Sequence, residues 1–449
     1  MSKFQKVLGK KEVVTLVLGA IIGWGWIILT GEWVLKAGAL GALTALTIAG
    51  VVFTLIGLVY AELASALPFT GGEHVYSQRA LGDKASFVCT WAVILAYVSV
   101  VAFQAVALPV AMEYLFPDLR YLYLWTFAGS DVYLSYVIIG VLIAFSVTVL
   151  NILGIKLSAS FQNFATFFIL VIGVLFILGA FFGGDVSNAQ PLFNNGIAGI
   201  FPVLITVPLA MTGFDVVPQA AEEIDLPQRQ IGQLLVATVL FAIAWYMLIV
   251  VGVFLSLPRT DIDPANLSIA DGASLVWGNV WAGKIFIMAG VAGIITSWNS
   301  FIIGGSRAIY AMAHSNMLPA AFGKLHPKYG SPANALMLIG ALTIFAPFLG
   351  KQAFLYFVNA GSFGLMIAYC FVAVSFIVLR KKEPHLERPY FVKNGLLVGY
   401  AAAIFCFLIL LLFLPGSPAA LQSIEWGIVV GWFVLGIVLY ALSDRTAKM

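Results

Sequence analysis

Twelve apolar segments, each near the roughly 20 residues needed to cross about 30 Å of hydrocarbon, constrain this chain more than any other feature. They run over about 12–36, 39–67, 84–115, 131–150, 156–182, 199–224, 231–256, 279–313, 333–350, 353–380, 395–414 and 421–442. Lipid offers no partner to a backbone N–H or C=O, so each segment is expected to be helical. Two are interrupted: the first at Gly23-Trp24-Gly25, the sixth at Thr212-Gly213-Phe214-Asp215 between Pro208 and Pro218. A helix unwound inside a bilayer survives only where it lines a protein cavity, and paired breaks in two halves of a chain mark a substrate site.

The expected fold class is an all-α polytopic membrane protein with twelve transmembrane helices. Helices 1–5 and 6–10 are expected to form a 5+5 inverted repeat with discontinuous helices 1 and 6, followed by helices 11–12. The corresponding divisions are 1–182, 199–382 and 395–449. The repeat rests on the placement of the breaks, since the halves share no quotable residue pattern.

Of 449 residues, 62% are hydrophobic and 10% charged, with a mean hydropathy of +1.03, which excludes a soluble globular protein. All but five of the 23 Lys and Arg fall on one side if both termini are cytoplasmic, leaving Lys36, Arg120, Arg259, Lys284 and Lys351 outside. The net charge of +3 therefore reports topology and no nucleic-acid partner. Lys3, Lys6, Lys10 and Lys11 lead into a long helix without a cleavage site, so no signal peptide is expected. Cys89, Cys370 and Cys406 lie in apolar stretches and read as small core residues. His74, His314, His326 and His385 are expected in cytoplasmic loops without metal-ligand spacing, and no P-loop is found.

The stretch Tyr60-Ala61-Glu62-Leu63-Ala64 through Pro68, Gly71-Gly72-Glu73-His74-Val75-Tyr76, Ala221-Glu222-Glu223-Ile224 with Pro227, and Ser306-Arg307-Ala308-Ile309-Tyr310-Ala311-Met312-Ala313 closed by Leu318-Pro319 resembles the amino acid–polyamine–organocation (APC) superfamily permeases. The resemblance covers nearly the whole chain. It implies a substrate carboxylate on amides of Trp24 and Gly25, beside Gly23, at the N-terminus of a half-helix. It implies an ammonium on carbonyls of Ile21, Leu209 and Thr212, with Gly213 inside the second break. Trp298 matches a tryptophan that stacks on substrate in such permeases; core packing is the alternative. Thr296, Ser297 and Ser300, with carbonyls of Gly19 and Ile22, form a possible sodium site, although hydroxyls also glue membrane helices together.

Three departures stand out. Trp24 replaces a small residue between the two glycines, Leu209 replaces an aromatic gate, and Ile169 stands where some proton-coupled members carry lysine. Trp24 either restricts the substrate to a small side chain, offers a cation–π face, or packs away from the pocket. Asp215 is the leading coupling residue, because an intramembrane carboxylate is costly unless water, a proton or a cation satisfies it; the alternative is a cap on freed amides. Glu32 and Lys36 have helical ion-pair spacing. Glu62, Glu222 and Glu223 are candidates for closure networks with Arg307 or Lys156, whereas Gln104 and Glu113 have no assigned role.

The expected function is a secondary active transporter of amino acids or related small amines by alternating access in the plasma (inner) membrane. No cofactor is expected beyond a coupled H+ or Na+, and no enzyme activity. The partners are a small-molecule substrate and the lipid bilayer; oligomeric state is open. An uncoupled exchanger and a non-transporting ligand sensor are the alternatives.

Overall fold

A computed structural model describes Phe4 and residues 6–262 and 267–443, without the side chains of residues 155–160 and Ser268. Lys3, Arg445 and Lys448, counted among the cytoplasmic charges, and the Lys156 side chain lie outside the described residues.

The first apolar segment forms two helices, α1 (Lys10–Ile21) and α2 (Gly25–Ala37), separated at residues 22–24. Helix α3 (Ala39–Ala66) leads into the short α4 (Glu73–Leu81) and the long α5 (Asp83–Leu115). A hairpin of β1 (Tyr123–Phe127) and β2 (Ser130–Tyr133) follows. Its turn residues Ala128 and Gly129 both take positive φ, 48° and 79°, the geometry that matches strand twist in a two-residue hairpin. The fourth expected span, starting at 131, therefore begins three residues later than the periodicity placed it, with α6 (Leu134–Leu153).

Helix α7 (Ile155–Gly183) precedes the second interrupted segment, α8 (Ile200–Met211) and α9 (Val216–Gln219). The chain continues through α10 (Gln228–Ser256), α11 (Ser268–Trp277), α12 (Val280–His314), α13 (Ala333–Ile344), α14 (Ala353–Lys382), α15 (Gly395–Leu411) and α16 (Ser423–Ala441). Among the described residues ten spans have the length and composition to cross a membrane; Ala333–Leu349 and Gly395–Leu411, at two further expected positions, are shorter apolar helices.

Helix α5 is buried along its whole apolar length and packs on α14 and α12, while α10 packs on α3. The periphery is apolar too: Phe164, Phe167 and Phe182 on α7, and Ile437 on α16, are exposed. In water such a surface would aggregate, so it faces lipid. Helix α16 is fastened to α5 by a reciprocal pair: Trp91 Nε1 donates to the Trp432 carbonyl and Trp432 Nε1 to the Trp91 carbonyl, each at 2.8 Å, with the rings stacked 4.6 Å apart.

On the face where the chain begins, Val7 and Leu8 N–H donate to the Glu223 carbonyl and Asp225 N–H to the Leu8 carbonyl. Beside them Arg307 and Glu223 form a bidentate pair, 2.8 Å at the shorter contact, that leaves 3% and 4% of the side chains exposed. The Lys156 side chain lies outside the described residues, and Glu62 does not join Arg307. It binds Arg380 and Arg388 and accepts from Val392 N–H at 2.7 Å, because the basic segment after α14 folds back under α3. Glu32 and Lys36 do pair, at 2.7 Å, and Glu113, which had no role, binds Arg120 and the Tyr136 hydroxyl.

Histidine placement needs one correction. His74 is not in a loop: it sits in the first turn of α4, buried, with Nε2 2.7 Å from Ser315 Oγ and Nδ1 3.0 Å from Ser86 Oγ. Burial pushes its imidazole down to about 4, although the charge of Asp83 pulls the other way, so it is neutral at physiological pH.

Candidate functional site

Each break has a local cause. At the second, Pro208 cannot donate from its nitrogen, Thr212 turns extended (φ −69°, ψ 153°), and Gly213 takes φ +133°. A Cβ on Gly213 would lie 2.7 Å from Ala20 Cβ and 3.0 Å from Ile21 N, so its missing side chain is what lets the second break touch the first. At the first, Ile22 (φ −88°, ψ 43°) leaves the helix, and α2 restarts at Gly25. The N–H groups of Gly25 and Trp26 then have no acceptor in a preceding turn of their own helix, and the last carbonyls of α8 are in the mirror situation.

A cavity of about 30 Å³, enough for a water molecule and too small for an amino acid, lies between the breaks. The first break lends Ala20, Ile21, Gly23, Trp24 and Gly25 to its wall, and the second lends Leu209 and Ala210. Val100, Phe103 and Gln104 come from α5, Tyr246 from α10, Phe301 from α12 and Val358 from α14. Of the residues expected at the site, Ile21, Gly23, Trp24, Gly25 and Leu209 therefore converge on one space. Thr212, Gly213 and Trp298 do not line it; Trp298 is fully buried with an unpartnered indole N–H, and the aromatic that its helix presents to the cavity is Phe301, one turn further on. The Trp24 ring is seated over Gly290 of α12, close enough that a Cβ there would meet it.

Two wall residues went unassigned in the sequence. Gln104 donates from Nε2 to Ser297 Oγ at 2.5 Å, and its carbonyl oxygen is buried without a partner. Tyr246 donates its hydroxyl to the Ile21 carbonyl at 3.0 Å, occupying one acceptor expected for an ammonium. A glutamine within an apolar run was the signal available for Gln104; nothing in the order of residues links Tyr246 to Ile21.

Asp215, fully buried, accepts from Gly213 N–H at 2.7 Å and from Thr212 Oγ1 at 3.1 Å. It thus caps an amide freed by its own break, not the amides of the short helix α9 that follows.

Around the expected sodium site, Thr296 Oγ1 donates to the Gly19 carbonyl at 3.1 Å and Ser300 Oγ to the Leu16 carbonyl at 3.0 Å. Ser297 is turned toward Gln104, and the Ile22 carbonyl faces Gly293. An unforeseen residue stands in the middle: Gln162 Nε2 lies 3.3 Å from the Thr296 and Thr15 carbonyls and 3.2 Å from Ser300 Oγ. An amide NH2 is a donor; of the oxygens expected for a cation it meets Ser300 Oγ, and its other two acceptors are backbone carbonyls beside that set.

A second cavity of about 240 Å³ between α7, α11 and α12 is walled by apolar residues such as Ile172, Phe176 and Phe286, with no polar group to hold a zwitterion.

A profile of the family described as amino acid permease matches residues 8–439. The chain is 27% identical to the branched-chain amino acid permease BcaP of Bacillus subtilis (strain 168), over 98% of this chain and 93% of that protein. It is 26% identical to the methylthioribose transporter of the same organism, over 98% and 94%. With that organism's aspartate-proton symporter it shares 27% identity, over 90% of this chain and 78% of the symporter. Permeases and transporters, not enzymes, make up these relatives.

Proposed function

Because the chain belongs to the amino acid permease family, we propose that it is a secondary active transporter of small amino acids or related amines, working by alternating access around the cavity between the two breaks. The observation that carries this reading is the apposition of the two breaks, at 22–24 and 212–215, with Gly213 set against Ala20 and Ile21 and an only partly filled space beside them. In this reading the spans form twelve transmembrane helices as a 5+5 inverted repeat, divided at 1–182, 199–382 and 395–449. Both termini are cytoplasmic and the membrane is the inner one.

A substrate carboxylate binds at the start of α2, on N–H groups at the positive end of a half-helix. The ammonium binds among the free carbonyls near Leu209 and the unpartnered oxygen of Gln104. Entry requires the surrounding helices to part, since about 30 Å³ cannot hold an amino acid. Trp24, Phe103, Phe301 and Tyr246 leave room only for a modest side chain. In proteoliposomes, alanine-sized substrates are therefore expected to compete at least about tenfold better than tryptophan or phenylalanine, a difference of about 1.4 kcal/mol. Equal competition by the large aromatics would end the size argument.

Protons are the coupling ion that fits best. Around the candidate sodium site Gln162 meets the Ser300 hydroxyl, Thr296 Oγ1 donates to the Gly19 carbonyl and Gln104 donates to the Ser297 hydroxyl, and one relative is named an aspartate-proton symporter. Asp215 carries the proton, since an unpaired carboxylate at this depth is costly when charged. Uptake should follow an imposed pH gradient and ignore sodium, and Asp215→Asn should abolish accumulation while retaining exchange of preloaded substrate. Undiminished accumulation by that variant, or dependence on sodium in the parent protein, would remove Asp215 or the proton from the mechanism.

A further inference from the structure

Between the cavity and the face where the chain begins lies a second buried carboxylate that the transport reading leaves unused. Glu73 opens α4 directly after Gly71-Gly72 and is fully buried. The Tyr60 hydroxyl donates to its Oε1 at 2.8 Å, and the amide of Gln219 contacts its Oε2. Gln219 ends α9, the short helix that Asp215 precedes, so one turn of backbone carries both the Asp215 carboxylate and the amide that touches Glu73.

The groups facing this pair come from the elements around it, and among the described residues none is cationic. Tyr60 reaches it from α3, Tyr76 from α4, Tyr97 from α5 and Tyr369 from α14; Cys89 of α5 lies within range of the Glu73 charge. The rings of Tyr60, Phe214 and Tyr369 are mutually packed at 5.2–5.7 Å. Among the described residues no salt bridge reaches Glu73 or Asp215: the neighbouring Arg307 is held by Glu223, and Arg380 by Glu62. The hydroxyls of Tyr97 and Tyr369 are fully buried beside Asp215, and among the described residues neither reaches a partner at full hydrogen-bonding geometry. Two donors are thus in waiting beside a carboxylate that has only short local contacts. The oxygen of the Gln219 amide is unpartnered as well, so the same side chain, turned over, accepts from Glu73 when that residue carries a proton.

We propose that Glu73 and Asp215 act as one coupled proton site, holding one exchangeable proton between them through the contact of Gln219 on α9 with Glu73 on α4, although among the described residues no hydrogen bond joins the two carboxyls directly. This rests on the reading of Asp215 as the coupling residue and adds what the proton does there. Two carboxylates in a dry, cation-free setting cannot both be charged without a large cost, so the pair retains a proton. Burial pushes the Glu73 carboxyl well above the usual carboxylate range, and the charge of Asp215 pushes it further, against the hydrogen bonds from Tyr60 and Gln219.

The location gives the proton mechanical leverage. Gly71 N–H donates to the Gln219 carbonyl at 3.3 Å, and a Cβ on Gly72 would lie 3.1 Å from Pro218 Cβ, so the loop before α4 is seated on α9. For the cavity to open to this face, that seat must part. A proton arriving from the aqueous side forms an O–H bond on one carboxyl and removes the repulsion, which favours the seated state. Its departure restores two like charges and favours separation, a differential affinity of the kind any coupled ion requires.

The test uses protons alone as the probe: infrared difference spectra of the full-length purified protein across a pH titration, reading the carbonyl band of protonated carboxyl groups. Glu73→Gln should remove a buried-carboxyl band, and Glu73→Asp should restore it. In Asp215→Asn the Glu73 band should persist with its midpoint lowered by about one pH unit or more, the signature of two interacting sites. An unshifted midpoint in Asp215→Asn, or a band that survives Glu73→Gln intact, would overturn the shared proton, whatever gradient-driven uptake shows. Should Asp215→Asn not fold, the reciprocal measurement decides the matter: in Glu73→Gln the Asp215 carboxyl band should have its midpoint lowered by about one pH unit or more, and an unshifted midpoint would overturn the pair. A failure of the parent protein to accumulate substrate under a pH gradient is a separate result, and it would overturn the coupling reading.

Discussion

Gly213→Ala is expected to lower substrate affinity on the order of 100-fold, the equivalent of about 2.8 kcal/mol, and to destabilise the protein as well. Two costs add. At φ +133° a residue with a Cβ is strained by about 1–3 kcal/mol. That Cβ would also lie 2.7 Å from Ala20 Cβ, 2.9 Å from Ile21 Cγ1 and 3.0 Å from Ile21 N, and the last of these is backbone that cannot step aside. Overpacking of this kind costs about 1–3 kcal/mol and spreads the two breaks apart. Gly427→Ala on α16 is the control, because nothing lies within 4 Å of the position its methyl would take. Uptake kinetics and thermal unfolding of both variants check the expectation; parent-like uptake by Gly213→Ala would mean that the breaks need not touch.

The second large effect concerns the face where the chain begins. Arg307→Met should destabilise the protein by about 3–5 kcal/mol, since it strands Glu223 as an uncompensated charge with 4% of its side chain exposed. Arg307 also donates from Nη1 to Ser306 Oγ at 3.0 Å and lies 5.7 Å from the centre of the Phe4 ring, so the guanidinium anchors the N-terminal segment too. Removing both charges together, Arg307→Met with Glu223→Leu, should recover most of the loss, because a buried pair replaced by apolar groups of similar size is often neutral. Thermal unfolding of the two single variants and the double variant forms the cycle. A double variant as unstable as the sum of the singles would show that the two side chains act independently.

Local features were readable in the order of residues because their causes are local. The interruption at Gly23-Trp24-Gly25 and the one at Thr212-Gly213 follow from glycine, from proline and from the bilayer's refusal of unpaired backbone. The Glu32–Lys36 pair follows from one helical turn. The hairpin at 123–133 was not legible because its second strand is only four residues long and runs without a break into α6. Membership of the site was legible for Ile21, Trp24, Gly25 and Leu209, which lie in or beside the breaks. Trp298 illustrates the limit: a one-turn difference along α12 separates a buried indole from the Phe301 ring on the cavity wall.

By itself the sequence determined a membrane-embedded helical chain with two weak points, because hydropathy and backbone hydrogen bonding act within some twenty consecutive residues. Only the tertiary structure decided which polar side chains meet. Gln162 reaches Thr296 across 134 residues, Gln104 reaches Ser297 across 193, and Gln219 reaches Glu73 across 146. Such meetings depend on how whole helices rotate and settle against one another, and a side chain's partner across a helix interface leaves no mark on its neighbours in the chain.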